Sequence, residues 1–442
     1  MPELDDTPHA AARPASHRVR SYLVGLAATV FAVVLVVTVA LVVRHVSAVV
    51  TTNRRQAALQ PFYVPPAGWQ ARPDGAVLRR EPVGGVPSGG SGWRILYRTQ
   101  RSDGTAAVSG GLIFLPGPSA PPAPSDGRAV VAWAHPTTGM GTACAPSRTP
   151  DVESDVQGLA LFLRAGWVVT ATDYAGLGTS GVQEYLVGAA EAHDVLDSVR
   201  AARMLPGSDA GTSVLLWGHS QGGASALWAA DDAAAFAPDL RIVATVAAAP
   251  AADLPVLISH QWTTLVGSLI GSEVLVAWPT TDPQLSASAV SSMSAAHLRS
   301  LAMMCVAEAG KTLALRSLFT STSVFEDDPL RSAAWKAAIA ENSPPPPTVP
   351  TLIVQETTDG VVLAGSTATY VATACAAGSD VTVDYIGGTG DPDKASGIQD
   401  HSTTGIAAAP YAFTWFQQRL AGQATAPTCA TTSPVEPLTI TP

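Results

Sequence analysis

The sequence has few charged residues and no concentration of positive charge. Only 14% of its 442 residues are Asp, Glu, Lys or Arg, and the formal net charge is −10. Nucleic-acid binding requires a basic patch, and the arginines of this chain are scattered along its length. We therefore expect no nucleic-acid partner.

Cysteine is also scarce, which excludes a disulfide-rich scaffold. The chain contains only Cys144, Cys305, Cys375 and Cys429. These positions show no Cys-x-x-Cys spacing, so a zinc site is not expected. Three aspartates, Asp384, Asp391 and Asp393, lack the regular ligand spacing of a calcium loop, and we interpret the segment around 391–393 as a solvated turn. The sequence predicts neither a metal site nor a cofactor.

What the chain does have is one long apolar run near its start. Residues 1–20 are interpreted as disordered, and residues 21–43 as a transmembrane signal anchor. No charge occurs between Tyr22 and Val43, and a helix of that length spans about 33 Å, enough to cross a bilayer. The alternative is a long cleaved signal, with small residues for a peptidase at 46–48. Arginines stand on both sides of the run, so orientation stays open, but the even cysteine count favours an extracellular C-terminal part.

The remaining chain divides into a linker, one large domain and a tail. Residues 44–91 are interpreted as a stalk and linker, because the stretch 51–91 is rich in Pro and Gly. The domain is expected over 92–422, and the tail over 423–442 is expected to be irregular. Strands are predicted at 93–99, 108–115, 129–134, 167–172, 213–217, 242–247, 351–355 and 381–386. Because these apolar strands mostly alternate with helices, we expect a mostly parallel sheet covered on both faces.

The alternation stops over residues 251–345, where only helical patches occur. This segment follows the strand at 242–247, at the carboxyl edge where open α/β sheets bind their ligands. Its apolar side chains must bury themselves against the core or against a substrate. They include Trp262, Leu265, Val266, Leu269, Ile270 and Val274. We expect an inserted helical cap that lies over the site described next.

The centre of the chain is the pentapeptide Gly-His-Ser-Gln-Gly at residues 218–222. An apolar strand precedes it and an alanine-rich helical stretch follows at 224–235. A strand, a sharp turn and a helix form the context of a nucleophile elbow, in which Ser220 stands on a strained turn. A Cβ atom at Gly218 or Gly222 would collide with a neighbouring element. We therefore predict that Ser220 is a nucleophile.

A serine nucleophile needs a histidine base and a carboxylate that orients the histidine. In this architecture the acid and then the histidine follow the serine along the chain. His401 lies after the last predicted strand and before a helix predicted at 406–420, whereas His260 and His297 fall in the cap. Asp359, shortly after the strand at 351–355, is the predicted acid, and Glu356 is the alternative.

Two backbone N–H groups should stabilise the oxyanion that forms when the serine attacks. One is expected from Gln221, the residue after the nucleophile, at the N-terminus of a helix. The other should come from the loop after the strand at 129–134. Pro136 has no N–H group, so Thr137 is the first choice and Thr138 the second.

Three motifs together resemble the secretory lipases of the α/β-hydrolase superfamily. They are Trp-Ala-His-Pro-Thr-Thr-Gly with Cys-Ala-Pro-Ser (133–139 and 144–147), Asp-Tyr-Ala-Gly-Leu-Gly (173–178) and Gly-His-Ser-Gln-Gly-Gly (218–223). The resemblance covers about residues 90–421. It implies an α/β-hydrolase fold with a helical lid and an extracellular carboxylic-ester hydrolase, often a triacylglycerol lipase. The chain departs from the family in its N-terminal membrane span and in Pro136, where related hydrolases often have glycine.

The resemblance and an oxidising compartment also imply two disulfides, Cys144 with Cys305 and Cys375 with Cys429. The expected protein is a serine esterase or lipase acting on an ester or lipid, held at the cell membrane by its N-terminal span or secreted after cleavage. An acyltransferase would use the same triad, and a non-catalytic surface protein could use the same scaffold. The natural substrate, the acyl-chain length and the oligomeric state are not determined by the sequence.

Overall fold

The computed structural model describes residues 16–317, 323–387, 395–430 and 433–440. The strands are β1 (Val77–Val83), β2 (Ser91–Gln100), β3 (Ala106–Leu115), β4 (Arg128–Ala134), β5 (Val168–Thr172), β6 (Ala210–His219), β7 (Arg241–Ala248), β8 (Thr351–Glu356) and β9 (Val381–Ile386). The helices are α1 (Ser16–Leu59), α2 (Leu159–Arg164), α3 (Gly188–Met204), α4 (Gln221–Phe236), α5 (Leu254–Gln261), α6 (Leu265–Ala277), α7 (Ala295–Ala302), α8 (Val306–Ser317), α9 (Ala333–Glu341), α10 (Ala364–Ala376) and α11 (Ala395–Leu420). By its internal contacts the chain divides into two units, residues 1–58 and 59–442.

Helix α1 makes up the described part of the first unit. The most apolar 18-residue window of the stretch Tyr22–Leu59 has a mean hydropathy of 3.0, and none of that window is buried. Among the described residues this is the one helix long and apolar enough to cross a membrane. The hydroxyls of Thr29 and Thr38 donate to the carbonyls four residues earlier, at 2.9 and 2.7 Å, which satisfies both groups within the helix. The helix continues to Leu59, so residues 44–59 of the predicted stalk and linker are helical. Those residues extend the helix because no Pro or Gly interrupts them.

The second unit contains a nine-stranded sheet in the order β1-β2-β3-β5-β4-β6-β7-β8-β9. Neighbouring strands in the series β5-β4-β6-β7-β8-β9 pair in parallel. The pairs β1-β2, β2-β3 and β3-β5 are antiparallel. The predicted mostly parallel sheet of the α/β class is therefore confirmed. Its central strands end at one edge, which brings β6 and β8 together with the loops that follow them.

The edge strand β1 corrects the domain boundary predicted at residue 92. It pairs antiparallel with β2 inside the region interpreted as linker. The strand has charged residues and a proline in place of an apolar alternation, as edge strands often do to prevent further pairing. Arg80 lies over the ring of Trp93 at 5.1 Å, and Glu81 forms an ion pair with Arg94. These contacts with β2 add to the packing of Val77, Leu78 and Val83 against apolar clusters, and periodicity alone does not reveal the strand.

Helices cover both faces of the sheet, because alternate residues of each strand are buried on opposite sides. Val130 and Ala132 of β4 pack with α3 and α4, whereas Val131 and Trp133 pack with α2 and α11. Burial on both faces explains the continuous apolar runs of the central strands.

Helices α5 to α9 form an insertion between β7 and β8, where the cap was predicted. The insertion has its own apolar core, which includes the stacked rings of Trp278 and Trp335 at 6.0 Å. Asp253 and Thr264 accept hydrogen bonds from backbone N–H groups in the first turns of α5 and α6. These N-caps begin two helices within a segment whose described residues contain no strand of the sheet.

The C-terminal tail packs on α10, and its described residues include one short turn of helix at Thr428–Ala430. Leu438 exchanges two hydrogen bonds with that helix, one from its N–H to the carbonyl of Gly365 at 3.0 Å and one from the Thr369 hydroxyl to its own carbonyl at 2.6 Å. The predicted tail therefore belongs to the same compact unit as the sheet.

Candidate active site

Ser220 stands alone between β6 and α4 in a backbone conformation that L-residues rarely adopt, with φ 59° and ψ −120°. Its N–H donates to the carbonyl of Ala248 at the end of β7, at 2.9 Å, which holds the turn against the sheet. The chain thus reverses from strand to helix within one residue. The serine is 6% exposed at the carboxyl edge of the sheet, and it lines the cavity described below.

Two glycines make this turn possible. A Cβ atom on Gly218 would lie 1.9 Å from the carbonyl oxygen of Gly222, and one on Gly222 would lie 1.9 Å from that of Ala134. Both distances are impossible for real atoms, so any side chain at either position would push the helix away from the strands. The spacing of the glycines in the pentapeptide has a direct steric cause.

The structure brings Ser220, His401 and Asp359 into one chain of hydrogen bonds. The Nε2 atom of His401 lies 2.9 Å from the Ser220 Oγ atom, and its Nδ1 atom lies 2.8 Å from Oδ2 of Asp359. All three side chains are at least nine-tenths buried, and Asp359 is 1% exposed. An imidazole held by a carboxylate on one side and by a serine hydroxyl on the other can remove a proton from that hydroxyl.

His401 lies in the second turn of α11 and not in a loop, so the predicted start of the last helix at residue 406 is wrong. Residues 395–405 have little apolar character, and tertiary contacts rather than propensity hold them in the helix. The carboxylate of Asp400 accepts from the Thr358 hydroxyl at 2.5 Å, and the carbonyl of Gly397 accepts from the N–H of Gly360 at 3.1 Å. These bonds join the start of the helix to the loop that contains Asp359.

Several donors fix the carboxylate of Asp359. Its Oδ1 atom accepts from the N–H groups of Val361 and Val362 at 2.8 and 2.9 Å, and its Oδ2 atom accepts from Gln355 at 3.2 Å. Glu356, the alternative acid, makes no hydrogen bond to His401. Burial, together with the charges of Asp400 and Asp359, raises the pKa of Glu356 to about 7. The geometry therefore favours Asp359 over Glu356.

Thr137 and Gln221, the predicted oxyanion donors, line the same cavity as Ser220. Gln221 is the first residue of α4, where N–H groups have no acceptor within the helix. The alternative Thr138 is not among the lining residues, and its carbonyl accepts from Val306 of α8 at 2.9 Å. The geometry favours Thr137 as the second donor.

The cavity above Ser220 has an almost entirely apolar lining, and α5 and α6 of the cap supply much of it. One face of α6 contributes Val266, Ile270 and Val274, which recur every four residues. The volume of the cavity that the centre of a water-sized sphere can occupy is about 90 Å³. Trp262 also lines it, so four of the six apolar cap residues named from the sequence face the cavity. The other two, Leu265 and Leu269, lie on another face of α6 and pack in the core of the cap.

Two disulfides are present, with the pairing that the resemblance implies. Cys144 is joined to Cys305 at an S–S distance of 2.12 Å, and Cys375 to Cys429 at 1.99 Å. The first links the segment after the Thr137 loop to the cap, and the second links α10 to the tail. Neither lies in the cavity.

Four other histidines lie outside the hydrogen-bond chain of Ser220. Burial lowers the pKa of His135 to about 4 and places that of His219 well below its ordinary value, where the charge of the neighbouring His401 adds to the effect. His260 and His297 lie on the cap, with ring nitrogens facing the Thr439 carbonyl at 2.9 Å and Arg316 at 3.2 Å. Neither takes part in the chain that reaches Ser220.

Within the ranges that the structure describes, no group of three or more His, Cys, Asp or Glu side chains could hold a metal ion. Asp384 lies in β9, and burial raises the pKa of its carboxyl group. Asp391 and Asp393, considered as calcium ligands in the sequence analysis, lie outside the described residues.

Two further polar residues lie beside the site and have no counterpart in the motifs. Glu191 of α3 is 2% exposed and accepts hydrogen bonds from Gln221 and Ser225, both at 2.6 Å. The hydroxyl of Tyr185 lies 2.7 Å from that of Thr137. Sequence reasoning missed both because neither stands in a strand-end motif. The only available signal was an acidic residue within a helix whose other positions are mostly small and apolar.

A model of the secretory lipase family matches residues 143–427 of the chain. The matched region includes the serine elbow, Asp359, His401 and the whole cap. This chain belongs to the secretory lipase family.

Curated relatives of this secretory lipase differ in how much of the chain they match. Probable inactive lipase MT1628 of Mycobacterium tuberculosis is 31% identical over 226 residues, which is 48% of this chain and 48% of the relative. The chain therefore spans about half the length of that relative. Lipase A of Arthroderma benhamiae is 25% identical over 409 residues, which is 84% of this chain and 81% of that protein.

Among solved structures, Candida antarctica lipase A is similar to this secretory lipase, with a TM-score of 0.69 and 17% sequence identity. The similarity covers 86% of this chain and 89% of that chain. At this identity the comparison concerns the fold alone, and it confirms the predicted α/β-hydrolase fold.

Proposed function

We propose that this secretory lipase is a serine hydrolase that cleaves carboxylic esters through an acyl-enzyme on Ser220. The observation that carries the proposal is the unbroken chain of hydrogen bonds from Ser220 through His401 to Asp359 at the floor of an apolar cavity. Thr137 and Gln221, beside the serine, are the proposed oxyanion donors.

The proposed reaction has two steps. Ser220 Oγ attacks the ester carbonyl while His401 Nε2 accepts the hydroxyl proton, and Asp359 stabilises the imidazolium that forms. The oxyanion of the tetrahedral intermediate accepts hydrogen bonds from backbone N–H groups. His401 then donates its proton to the departing alcohol. Water then gives a proton to the same imidazole and attacks the acyl-enzyme. His401 returns that proton to Ser220 Oγ as the bond to the acyl carbon breaks and the acid is released. Each bond broken at the acyl carbon is replaced by one formed there.

The lining of the cavity supports an acyl chain as the occupant. Its walls are formed mostly by aliphatic and aromatic side chains, which stabilise apolar ligands by excluding water. The few polar lining residues include Ser220, Gln221 and Thr137 of the proposed reacting site, and most of the other lining residues are apolar. We propose a lipid or other fatty-acyl ester as the substrate class.

We further propose that α1 anchors the protein in the cell membrane and that the catalytic unit lies outside the cell. The length and hydropathy of Tyr22–Leu59 support a membrane span, and two disulfides support an oxidising compartment. The proposal predicts that the protein expressed in its cells sediments with membranes and keeps its N-terminal residues. Recovery of a soluble protein that starts after residue 48 would instead favour signal cleavage.

Hydrolysis of a series of p-nitrophenyl esters by the full-length chain tests the proposed activity. The purified chain should release p-nitrophenol, and Ser220→Ala should reduce kcat by several orders of magnitude while the melting temperature stays within a few degrees. One relative is named a probable inactive lipase, which makes a non-catalytic role the second candidate. A folded wild-type chain with no turnover on any ester of the series would favour that role.

A further inference from the structure

Glu191 is a buried carboxylate that has no part in the proposed reaction scheme. It is bonded directly to Gln221, one of the proposed oxyanion donors. Its carboxylate accepts three hydrogen bonds, one from the loop before α3 and two from α4. The donors are the N–H of Leu186 at 2.8 Å, the amide of Gln221 at 2.6 Å and the hydroxyl of Ser225 at 2.6 Å. Glu191 lies on α3, and none of these contacts is an ordinary helix bond.

The contact with the Gln221 amide leads directly to one proposed oxyanion donor. Gln221 uses its side chain to bond Glu191, while its backbone N–H stands next to Ser220 at the start of α4. The hydroxyl of Ser225, one turn further along α4, is also a donor to Glu191. Glu191 therefore holds the first turn of this helix from two points, which sets where the Gln221 N–H group points.

The second route leads to the other proposed donor. Leu186 has a positive φ of 54°, a conformation that costs a leucine free energy unless its surroundings hold it. Its N–H is bonded by Glu191, and the carbonyl of the preceding Tyr185 accepts from the indole of Trp278 at 2.9 Å. Thus both ends of the Tyr185–Leu186 peptide are fixed. The Tyr185 hydroxyl then lies 2.7 Å from the Thr137 hydroxyl.

A third route reaches the same loop from the opposite side. The Ser225 hydroxyl lies 3.2 Å from that of Tyr174, and the Tyr174 hydroxyl donates to the carbonyl of His135 at 3.2 Å. Glu191, through Tyr185 and through Tyr174, is thus connected to residues on both sides of Pro136.

We propose that Glu191 is the positioning residue of the oxyanion hole, because one buried carboxylate holds the Gln221 side and the Thr137 side in register. Glu191 touches no reacting atom and acts through the residues it binds. The inference rests on the proposed function, since it assigns a role within that reaction.

A glutamine should replace Glu191 well. Its carbonyl oxygen can accept from Gln221 and Leu186, and its amide can donate to Ser225. The Ser225 hydroxyl can then donate its own proton to the carbonyl of Gln221, which lies 2.9 Å away. A leucine of similar volume removes all three acceptors. The pair Glu191→Gln and Glu191→Leu therefore separates hydrogen bonding from the filling of space.

The experiment measures kcat and KM for p-nitrophenyl butyrate with the full-length chain in detergent. Removing an oxyanion donor costs about 100- to 1,000-fold in kcat, and displacing two donors slightly should cost less, about 10- to 100-fold. Glu191→Leu should show that loss with KM changed less than about twofold. Glu191→Gln should stay within about threefold of wild type in kcat.

Binding of a boronic acid supplies a readout that a merely structural role would not change. Its tetrahedral adduct on Ser220 places a negative oxygen in the oxyanion hole, so its inhibition constant should rise in proportion to the loss of kcat in Glu191→Leu. The matched control is Asp197→Asn, a buried carboxylate on the same helix that bonds Arg200 at 3.0 Å. This control should lower the melting temperature and leave both kcat and the boronic-acid inhibition constant unchanged.

Wild-type kcat and boronic-acid affinity in folded Glu191→Leu would overturn the inference. If Glu191→Leu does not fold, Gln221→Ala tests the same contact, because it removes the side-chain bond and keeps the backbone N–H. An unchanged kcat in that variant would overturn the inference equally. Turnover by Ser220→Ala would instead refute the proposed function itself, so the two failures are distinguishable.

Discussion

The Nε2 atom of His401 lies 2.9 Å from the Ser220 hydroxyl, although 181 positions separate the two residues in the chain. The cap and three strands of the sheet, β7, β8 and β9, occupy the sequence between them. Because β6 and β8 lie in one parallel sheet, the residues after their carboxyl ends meet at a single edge. Asp359 and the start of α11 then bring the histidine to the serine.

The assignment of the acid predicts a clear difference between two neighbouring carboxylates. Asp359→Asn leaves the shape of the site intact but favours the wrong tautomer of His401, and kcat should fall about 10,000-fold. Glu356→Gln, the matched control, should keep kcat within about tenfold, since Glu356 makes no hydrogen bond to His401. Steady-state kinetics on a p-nitrophenyl ester measures both variants. The reverse order of the two losses would reassign the acid to Glu356.

The disulfide between the cap and the Thr137 region should support activity as well as stability. It closes a chain segment of 161 residues, and removing such a cross-link typically costs a few kcal/mol. Cys144→Ser with Cys305→Ser should lower both the melting temperature and kcat, because the cap and the loop of Thr137 lose a shared anchor. Cys375→Ser with Cys429→Ser should lower the melting temperature alone. Equal kcat in the two double variants would show that the first disulfide has no effect on the site.

Acyl-chain preference should depend on the face of α6 that lines the cavity. Ile270→Trp places a larger ring among the lining residues, so activity on long-chain esters should fall at least about tenfold relative to short-chain esters. Leu269→Trp, on the adjacent position that packs in the cap, is the control and should leave the chain-length ratio unchanged. A series of p-nitrophenyl esters measures the ratio. If both variants give the wild-type ratio while remaining folded, the cavity does not hold the acyl chain.

The buried carboxyl of Glu191 predicts how stability changes with pH. Burial raises the pKa of Glu191 from its ordinary value of 4.5 to about 7. Between pH 4.5 and 7 the unfolded chain releases this proton while the folded chain keeps it. The free energy of unfolding should therefore decrease as pH rises through this window, by an amount on the order of 3 kcal/mol, and the contribution levels off above pH 7.

Comparison of wild type with Glu191→Gln isolates this contribution, since the variant has no proton to release. Glu356 and Asp173 also have raised pKa values, and His135 has a lowered pKa with the opposite effect on stability. Those residues are present in both proteins, so their contributions cancel in the difference. Urea unfolding from pH 4.5 to 7.5 should give a smaller decrease for the variant. Parallel curves would contradict the raised pKa of Glu191.

The parallel sheet and the cap could be predicted because each has a local pattern. Continuous apolar strands are typical of a sheet buried on both faces, and the interruption of the alternation after residue 250 marks the insertion. The serine elbow is visible in the sequence for a steric reason, because a side chain at Gly218 or Gly222 would clash with a carbonyl oxygen. Strong local constraints leave local signatures.

Features held by tertiary contacts were not predictable. Strand β1 has charged residues and a proline, and only its pairing with β2 makes it a strand. The first turns of α11 are polar and exist because Asp400 and Gly397 bond the Asp359 loop. Glu191 is recognisable only after folding has brought Leu186, Gln221 and Ser225 around it. In each case the deciding contacts are made with other elements of the fold, which local periodicity does not show.

The central claim is that Ser220 is an activated nucleophile, and covalent labelling tests it most directly. The full-length chain is incubated with a fluorophosphonate probe, digested and mapped by mass spectrometry, with Ser220→Ala and Asp359→Asn as controls. The account predicts a single labelled residue, Ser220, no label in Ser220→Ala and much slower labelling in Asp359→Asn. Label on another residue, or none on a wild-type chain that is folded, would contradict the account.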